Sequence, residues 1–452
     1  MSARAPMLGG TGPVRAGDRA LPILAAVACL PVGFALGLAL YAAPPPLAVA
    51  LAGGLGLVLV LALALARYDA AVALGAVFLG LQVVEPAPAD GVFLVVMAVA
   101  FATRRLRLSS VPRPVLAMLA VFGALNVMAS IQVVDPERAI VFFGTTAYLA
   151  LFAIWLAGYT TSRGRALLLV RAYLASAVAS AAIGVLALLG ALPGAELLTE
   201  SDRSRAFFQD PNVFGPFLIP PTLILIEEII RPRLLSARLT TKAVLLAILL
   251  IGILFSYSRG AWVNLGLALV VLGLILSLRG GARTAATLVA VAATTAAIVA
   301  AVVVVTGSGE FLAERARPQT YDTDRFSGQR AGLQPAAEYP FGAGPGQFES
   351  VARISAHSTY ARALGEQGYP GLLTLLALLG FTLIAALRNA VAGRGTHGIG
   401  SASLLAAWCG LLANSAVIDT LHWRHLWVVA ALIWAATVLS GPGRRRSSGS
   451  AP

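Results

Sequence analysis

The stretch "AVLLAILLIGILFSYSRGAWVNLGLALVVLGLILSL", residues 243–278, contains two apolar runs that are joined by only a few polar residues. A helix of about 20 apolar residues crosses the hydrocarbon core of a bilayer. The runs 241–256 and 260–277 approach that length, so we predict two neighbouring membrane spans. The connection "SYSRGAW" (256–262) then places Arg259 at a membrane boundary.

The composition of the whole chain supports this interpretation. The protein has 452 residues, of which 58% are hydrophobic and only 12% are charged, and its mean hydropathy is +0.85. Soluble domains carry about a quarter charged residues. We therefore predict an integral membrane protein. The two cysteines, Cys29 and Cys409, lie in apolar runs, which excludes a disulfide framework and a thiolate metal site.

The apolar segments predict an all-α polytopic membrane protein with about 12–14 transmembrane helices and no soluble domain. The fourteen segments are 21–41, 46–66, 70–84, 91–103, 114–134, 139–157, 166–191, 212–230, 241–256, 260–277, 285–306, 369–387, 401–418 and 423–440. The third and fourth are short, and we interpret them as tilted, re-entrant or paired. The first resembles a signal peptide, but it is long enough to be an uncleaved span.

The charges predict an orientation for these spans. With the N-terminus in the cytoplasm, the inner connections hold 22 of the 33 Lys and Arg residues but only 4 of the 20 acids. This asymmetry is the positive-inside pattern of membrane proteins. Both termini are therefore predicted to be cytoplasmic. The formal charge of +13 is expected to face anionic lipid, and no nucleic-acid partner is expected.

The orientation places the unusual polar segments outside the cytoplasm. The largest is 307–368, in which "GEFLAERA" and "SGQRAGLQPAAEY" are predicted to form short helices lying on the bilayer. Residues 1–452 are predicted to form a single transmembrane domain. Residues 441–452 are predicted to be a disordered basic tail in the cytoplasm.

Arginines on the outer side suggest an anion site. Arg259 either anchors the chain at the headgroups or binds a phosphate, which the arginine fork suits. Arg325 and Arg330 follow in "DTDRFSGQRAGL", and Arg203 and Arg205 lie in "SDRSRAFF". Each of these four is either a solvated loop charge or part of a site that neutralises a pyrophosphate without a metal.

The segment "FGAGPGQFESVARISAHSTYARALGEQGYPG" (341–371) contains His357, a candidate general base. Ser355 is predicted to cap a helix that begins at His357, and a purely structural histidine is the alternative. "FGAGPG" lacks the Gly-Lys-Ser/Thr of nucleotide-binding loops, so we interpret it as a backbone turn. Glu366 lies in the following helix.

Three other polar features have simpler interpretations. Asn212 follows Pro211 and is either a helix cap or a ligand for a sugar or phosphate. His422 and His425 flank Trp423 and are interpreted as anchors at the membrane interface. Asp322 and Asp324 show no further ligands, so no metal or other cofactor is expected.

Four motifs, taken in order, resemble the O-antigen ligase and Wzy-type polysaccharide polymerase superfamily over about residues 200–385. The motifs are "FFQDPNVFGPFL", "SYSRGAW", "FSGQRAGLQPAAEYPFGAGPGQF" and "AHSTYARALGEQGYPGLL". The resemblance implies a metal-independent, inverting glycosyltransferase with a C-type fold in the bacterial plasma (inner) membrane. Its donor would be a glycan on undecaprenyl pyrophosphate, and its acceptor a glycan or lipid-linked hydroxyl.

The resemblance also implies roles for single residues. The family's catalytic arginines and histidine map to Arg259, Arg330 and His357. The family's asparagine after proline maps to Asn212 and its acid in the following helix to Glu366, and Arg325 is the alternative for the loop arginine. These three residues, and Arg205, are expected to bind the substrate. The family often has Asn after the histidine, where this chain has Ser358. The sugar, the linkage, the acceptor, the oligomeric state and the choice between ligase and polymerase stay open.

A transporter or flippase of lipid-linked saccharides is the alternative function, because many spans suit it equally well. The pair Pro220–Pro221 in "LIPPT" is one sign of the broken helices that transporters use. Against it, the candidate polar residues gather on one side of the membrane, and no internal repeat is visible.

Overall fold

The computed structural model describes residues 45–317 and 320–439 of the chain. The predicted first span and the predicted basic tail lie outside the described residues. The chain forms two compact units, Met1–Ala62 and Leu63–Pro452. The described part of the first unit is helical, and all contacts reported below lie within the second.

The regular secondary structure of the described residues is almost entirely helical. The helices before the longest element are α1 (Pro45–Ala66), α2 (Tyr68–Phe78), α3 (Pro88–Ala102), α4 (Arg113–Ala129), α5 (Pro136–Tyr159), α6 (Arg163–Leu188), α7 (Pro211–Ile230) and α8 (Leu239–Phe255). The later helices are α9 (Arg259–Thr306), α10 (Gly309–Ala316), α11 (Thr320–Ala331), α12 (Leu333–Glu338), α13 (Phe348–Ala352), α14 (Thr359–Val391), α15 (Ser401–Ser415) and α16 (Arg424–Leu439). One antiparallel pair of two-residue strands, β1 (Thr199–Glu200) and β2 (Arg203–Ser204), precedes α7.

Six of the described helices are long and apolar enough to cross a membrane, which fits the predicted polytopic membrane protein. They are Arg113–Gln132, Pro136–Tyr159, Arg163–Leu188, Pro211–Ile230, Arg259–Thr306 and Thr359–Val391. Five more apolar helices in the described residues are only 10–17 residues long. The predicted helical character is confirmed, whereas the number of crossings stays a prediction. The short helices predicted within 307–368 are present as α10, α11 and α12.

Helix α9 reverses direction at Gly281. A straight helix of its 48 residues would extend about 72 Å. Gly281 instead has φ +67° and ψ −165°, a conformation that is essentially restricted to glycine. Arg259 at the start of α9 contacts Arg317, which follows its end. The predicted spans 260–277 and 285–306 are therefore the two arms of a hairpin.

Helix α14 also consists of two parts, which meet at Gly368. This residue has φ +65° and ψ −168°, and Pro370 follows it. The first part, from Thr359, is a short helix among the loops, and the second part corresponds to the predicted span 369–387. A Cβ atom at Gly368 would lie 2.2 Å from the carbonyl oxygen of Pro340, so the break is packed directly against the preceding loop.

Helix α2 ends halfway across the bundle. Its 11 residues extend about 16 Å, roughly half the hydrocarbon thickness. The amide of Gly80 then donates to Ser176 Oγ, near the middle of α6, at 2.9 Å. The predicted segment 70–84 is helical only as far as Phe78, so it is not one continuous helix. The pairing of α2 with α3 is confirmed, since Gly75 packs on Phe93.

Helix α7 continues through Pro216, Pro220 and Pro221. A proline has no N–H, so Pro221 leaves the carbonyl oxygen of Phe217 without its usual helical donor. The hydroxyl of Tyr173 on α6 donates to that oxygen at 2.9 Å. The prolines that favoured a transporter therefore lie in a helix whose freed carbonyl is satisfied by a neighbour.

Candidate functional site

The C-terminal end of α15, residues 414–416, is where several loop segments meet. Ser358 Oγ donates to the carbonyl oxygen of Ser415 at 3.3 Å, and Gln329 Nε2 donates to that of Ala416 at 2.9 Å. Helix α9 packs closely on the same helix, since a Cβ atom at Gly410 would lie 1.9 Å from Asn264 Oδ1. The segment before α14, helix α11 and helix α9 thus all contact the C-terminal part of α15, which is their shared support.

Arg259 is the first residue of α9. Ser258 caps this helix, with its side chain accepting a hydrogen bond from the amide of Ala261 at 3.3 Å. The partly buried guanidinium of Arg259 donates from Nη1 to the carbonyl oxygen of Arg317 at 3.2 Å. A Cβ atom at Gly260 would lie 3.8 Å from Asn414 Oδ1, so Arg259 is held beside the end of α15.

His357 directly precedes the cap of α14. Ser358 is the N-cap, and its side chain accepts from the amide of Ala361 at 3.4 Å. The predicted cap at Ser355 and the predicted helix start at His357 are therefore wrong. His357 has φ +44°, a left-handed conformation that is uncommon for a residue with a side chain. Ser355 and Ser358 explain the error, because a serine at either position is a suitable helix cap by composition.

Helix α11 brings Arg330 toward His357. Gln329, the residue before Arg330, donates from Nε2 to the carbonyl oxygen of His357 at 3.4 Å. A Cβ atom at Gly328 would lie 2.2 Å from the carbonyl oxygen of Ser355, so α11 lies directly on this loop. Arg330 itself is exposed. Arg325 lies on the same helix, but its side chain is outside the described residues.

The loop before α7 reaches the site through Arg203 and not through Arg205. Arg203 donates from Nε to the carbonyl oxygen of Ser256 at 3.1 Å and from Nη2 to Asn212 Oδ1 at 2.9 Å. The guanidinium of Arg205 donates to carbonyl oxygens of its own loop, those of Leu197 and Gln209.

The cap of α7 also differs from the prediction. Asp210 is the N-cap, and its side chain accepts from the amide of Asn212 at 2.7 Å. The alternative of Asn212 as the helix cap is therefore wrong. Its side-chain oxygen instead accepts a hydrogen bond from Arg203.

Residues 342–346 of the turn "FGAGPG" are buried in the protein, whereas Phe341 is 48% exposed. Gly342, Gly344 and Gly346 all have positive φ. The amide of Ala343 donates to the carbonyl oxygen of Gly365, and that of Gly344 donates to the carbonyl oxygen of Glu366, both at 2.9 Å. These amides are therefore not available for a phosphate. The interpretation as a backbone turn rather than a nucleotide loop is confirmed.

Beside this turn lies a cluster of charges around Arg362. The guanidinium of Arg362 contacts Glu366 Oε1 at 2.8 Å and Asp419 Oδ2 at 2.7 Å, and it also pairs with Glu349. Arg138 on α5 contacts Glu349 Oε2 at 2.6 Å. The cluster joins α5, α13, α14 and the loop after α15. The sequence contained one sign of it, the four-residue spacing of Arg362 and Glu366.

Glu366 was predicted to contact the substrate. Its side chain is 2% exposed to solvent and, besides Arg362, it accepts a hydrogen bond from the amide of Phe348 at 3.4 Å. This geometry favours a positioning role, in which Glu366 ties the glycine turn to the first part of α14.

His422 and His425 are not anchors at a lipid interface. His425 is 1% exposed and Trp423 is 6% exposed, because both pack against protein. The ring of Phe217 lies 5.9 Å from that of His425. His422 Nε2 lies 2.9 Å from Thr146 Oγ1, and burial lowers the pKa of this histidine, so it stays neutral. The predicted anchoring role is wrong, because the bundle encloses these rings.

Arg424 forms a second buried group of charges at the start of α16. Its guanidinium contacts Glu85 Oε2 at 2.7 Å and pairs with Asp90. Its Nη1 also lies 3.3 Å from Gln82 Oε1. These contacts fix the non-helical segment after α2 to α16. We assign Arg424 to the support of the fold, because it joins the segment after α2 to the start of α16.

The structure therefore brings together some of the predicted residues. Arg259, His357 and the helix that carries Arg330 lie around the end of α15, and Asn212 is linked to the same turn through Arg203. Arg205 and Glu366 point to partners within the fold. Sequence reasoning missed Gln329, for which the chain offered no signal. Among residues 45–317 and 320–439, no group of three or more His, Cys, Asp or Glu side chains is arranged to hold a metal ion.

The fold and this arrangement define a multi-pass helical membrane protein whose family-like motifs meet at one end of the bundle. Residues 244–376 match the family model described as O-antigen ligase. The resemblance to the O-antigen ligase and polysaccharide polymerase superfamily is thereby confirmed for this stretch, which contains Arg259, Arg330 and His357. No curated protein matches the chain.

Proposed function

We propose that this protein is a glycosyltransferase that moves a glycan from undecaprenyl pyrophosphate to a hydroxyl acceptor at the outer face of the bacterial inner membrane. The acceptor class separates the two forms of this activity. A polymerase joins repeat units to one another, and a ligase joins them to a different carrier. The match to the O-antigen ligase family supports the enzyme class.

His357 is proposed as the general base. It takes the proton of the acceptor hydroxyl while that oxygen attacks the anomeric carbon, and the bond from this carbon to the pyrophosphate oxygen breaks with inversion. The leaving group is the lipid pyrophosphate, which carries the developing negative charge. Arg259 and Arg330 are proposed to stabilise that charge, which is the largest electrostatic demand of the reaction.

The observation that carries this proposal is the shared support at the end of α15. His357 immediately precedes Ser358, which bonds to Ser415, and Arg330 immediately follows Gln329, which bonds to Ala416. Arg259 precedes Gly260, which lies beside Asn414. The proposed base and the two proposed cations thus each lie next to a residue that contacts the last turn of α15. The reaction has one base and one anionic leaving group, so it requires these three residues to lie close together.

The neighbouring residues take modified roles. Arg203 holds Asn212 and the backbone at Ser256, three residues before Arg259, so we propose that it replaces Arg205 as the arginine that supports the site. Asn212 is proposed to donate its amide to a sugar or phosphate oxygen. Arg325 keeps its proposed role as a second loop cation. No step of this mechanism uses a metal ion.

An apolar cavity supports a lipid-linked donor. It has a volume of about 530 Å³ and is lined by α7, α8 and both arms of the α9 hairpin, for example at Leu250, Leu272 and Leu288. An isoprenoid chain suits such a surface, because burial of apolar groups away from water is favourable and non-directional.

The direct test is glycan transfer by the purified full-length protein. The protein is reconstituted with a lipid-pyrophosphate glycan and candidate acceptors, and products are identified by mass spectrometry. We expect a new glycosidic bond and release of lipid pyrophosphate, and we expect His357→Ala to lose both. His397→Ala is the matched control, because His397 contacts the carbonyl oxygen of Thr161, beyond the far end of α5.

Two outcomes would contradict the proposal. One is full transfer by the His357→Ala protein. The other is movement of the labelled lipid-linked glycan across a vesicle membrane without any new bond, which would assign the protein to the transporters.

A further inference from the structure

A polar cavity lies at the opposite end of the bundle from the candidate site. Helix α5 begins at Pro136, next to residues that bond to Gln347 of the glycine turn, and it ends at Tyr159, about 36 Å away. At this second end, a cavity of about 350 Å³ is lined by Arg104, Arg105, Arg107 and Arg165. The orientation predicted from the charges places it at the cytoplasmic leaflet.

The positive charge in this cavity is only partly compensated. Arg165 contacts Asp69 Oδ1 at 3.1 Å, and Arg107 Nη1 lies 3.5 Å from the neutral Thr161 Oγ1. Among the described residues, Asp69 is the one acid that forms an ion pair with any of the four arginines. Four guanidinium groups against one carboxylate create a site that favours an anion.

The cavity is a built feature with a fixed floor. Tyr68, Trp155 and Tyr159 form its aromatic side, and Trp155 Nε1 donates to the hydroxyl of Tyr68 at 2.9 Å. The guanidinium of Arg105 lies 5.2 Å from the ring centre of Tyr68, and that of Arg165 lies 5.3 Å from that of Tyr159. These contacts orient two of the cations before any ligand arrives.

The backbone at the rim is also fixed. Arg104 has φ +54°, and the amide of Arg105 donates to the carbonyl oxygen of Ala100 at 2.7 Å, which closes the end of α3. A Cβ atom at Gly158 would lie 3.3 Å from the Cβ of Arg107, so the arginine-rich turn lies directly against α5. The arginines are therefore held in place rather than carried on a free loop.

We propose that this cavity binds the phosphate group of an anionic phospholipid. Arginine forks match phosphate oxygens in pairs and keep their charge at all physiological pH values. The lipid source is favoured by position, since Phe101, one turn before the arginines, is 76% exposed and Leu108, just after them, is 52% exposed. Acyl chains can pack on these apolar side chains while the headgroup enters the cavity.

The test measures lipid binding to the delipidated full-length protein in a neutral detergent. Phosphatidylglycerol is titrated and bound lipid is counted by native mass spectrometry, with phosphatidylcholine as the zwitterionic comparison. The variant Arg105→Gln with Arg107→Gln is expected to lose phosphatidylglycerol affinity by about tenfold or more, because charge-assisted hydrogen bonds are removed. Arg238→Gln with Arg388→Gln is the matched control and should change it by less than about twofold, since both residues are exposed elsewhere on the same predicted face.

Each other outcome has a definite meaning. If the two double variants lost equal amounts of phosphatidylglycerol affinity, the binding would reflect general attraction to surface charge, and the proposed site would be overturned. Displacement of phosphatidylglycerol by millimolar inorganic pyrophosphate would overturn the lipid assignment in favour of a soluble phosphate. A thermal melt of each variant shows whether it is folded, and the pair Arg105→Lys with Arg107→Lys gives a second, milder change. That pair should retain attraction but lose part of the affinity, because lysine cannot form paired bonds.

Discussion

Arg259 donates a hydrogen bond from Nη1 to the carbonyl oxygen of Arg317 at 3.2 Å, although 58 residues separate the two in sequence. The contact joins the start of the α9 hairpin to the segment that follows its end. The arginine proposed to stabilise the leaving pyrophosphate is thus attached to the loop region that supplies Arg330.

We expect Arg259→Ala to reduce glycan transfer by about 10²–10³-fold, the usual effect of removing one donor to a developing negative charge. Arg259→Lys should recover only part of the lost transfer rate, because lysine cannot form the two parallel hydrogen bonds of an arginine. Transfer rates of purified variants check this, with size-exclusion profiles as a measure of folding. Arg238→Ala is the control, since its side chain is exposed elsewhere. Wild-type rates in Arg259→Ala would remove this residue from the mechanism.

The reversal of α9 depends on the backbone of Gly281. We expect Gly281→Ala to lower the free energy of unfolding by about 1–3 kcal/mol, because its dihedral angles are strained for any residue with a Cβ atom. A thermal melt in detergent measures this. Gly266→Ala is the matched control, since Gly266 is helical with open space around its Cβ position, and it should be neutral or slightly stabilising. Equal effects of the two substitutions would argue against the hairpin.

The Arg362 cluster should be sensitive to the loss of its central charge. Arg362→Met leaves Glu366 buried without its cation, which is expected to cost about 3–5 kcal/mol of unfolding free energy. Adding Glu366→Gln should restore part of that loss, because the uncompensated charge is removed. Denaturation of the single and double variants measures the coupling. Arg388→Met, an exposed arginine on the same helix, should change stability little. A double variant that is less stable than Arg362→Met would contradict this account.

Gln329 offers a test of the shared support at α15. We expect Gln329→Ala to lower kcat by about tenfold or more with little change in global stability, because the relative placement of His357 and Arg330 is loosened. Steady-state transfer kinetics and a thermal melt separate the two effects. Gln132→Ala is the control, as that side chain is exposed on a short 3₁₀ helix after α4. An unchanged kcat would mean that α11 does not position the site.

The pH dependence of stability should contain a contribution from His422. Burial lowers its pKa below the ordinary value of 6.5, so the unfolded chain binds this proton more readily than the folded protein. The stabilisation is complete above about pH 6.5 and is lost as the pH falls below it. His422→Gln should therefore show a smaller fall in Tm between pH 7 and 5.5 than the wild type. A steeper fall in His422→Gln would reverse the sign and contradict the prediction.

Much of the fold follows from the sequence, because lipid imposes simple rules on long apolar runs. The runs on either side of "SYSRGAW" are helices, and the glycine pair at 280–281 separates two arms. The early end of α2 was not predictable in the same way. Residues 79–84 are apolar except for Gln82, but the chain bonds to Ser176 and Phe207, and such distant partners leave no local pattern.

The candidate site was predictable where its residues lie in motifs. Arg259 and His357 were found because a charged group beside apolar spans is unusual. The role of the end of α15 was not visible, since "ANSAV" carries no distinctive chemistry and lies outside the matched stretch. The sequence could not decide between Arg203 and Arg205, because these two arginines, with one residue between them, contact different partners.

The packing of Gly342 against Gly368 restricts where insertions and deletions can occur in related sequences. A Cβ atom at Gly368 would lie 2.9 Å from the amide nitrogen of Gly342, so the two ends of the segment that carries His357 are pinned together as a closed ring. The turn and the first part of α14 are packed closely together, so a residue added or deleted in either would shift these contacts relative to one another. Insertions and deletions among functional relatives should therefore fall outside this interval, for instance in the connection between α9 and α10.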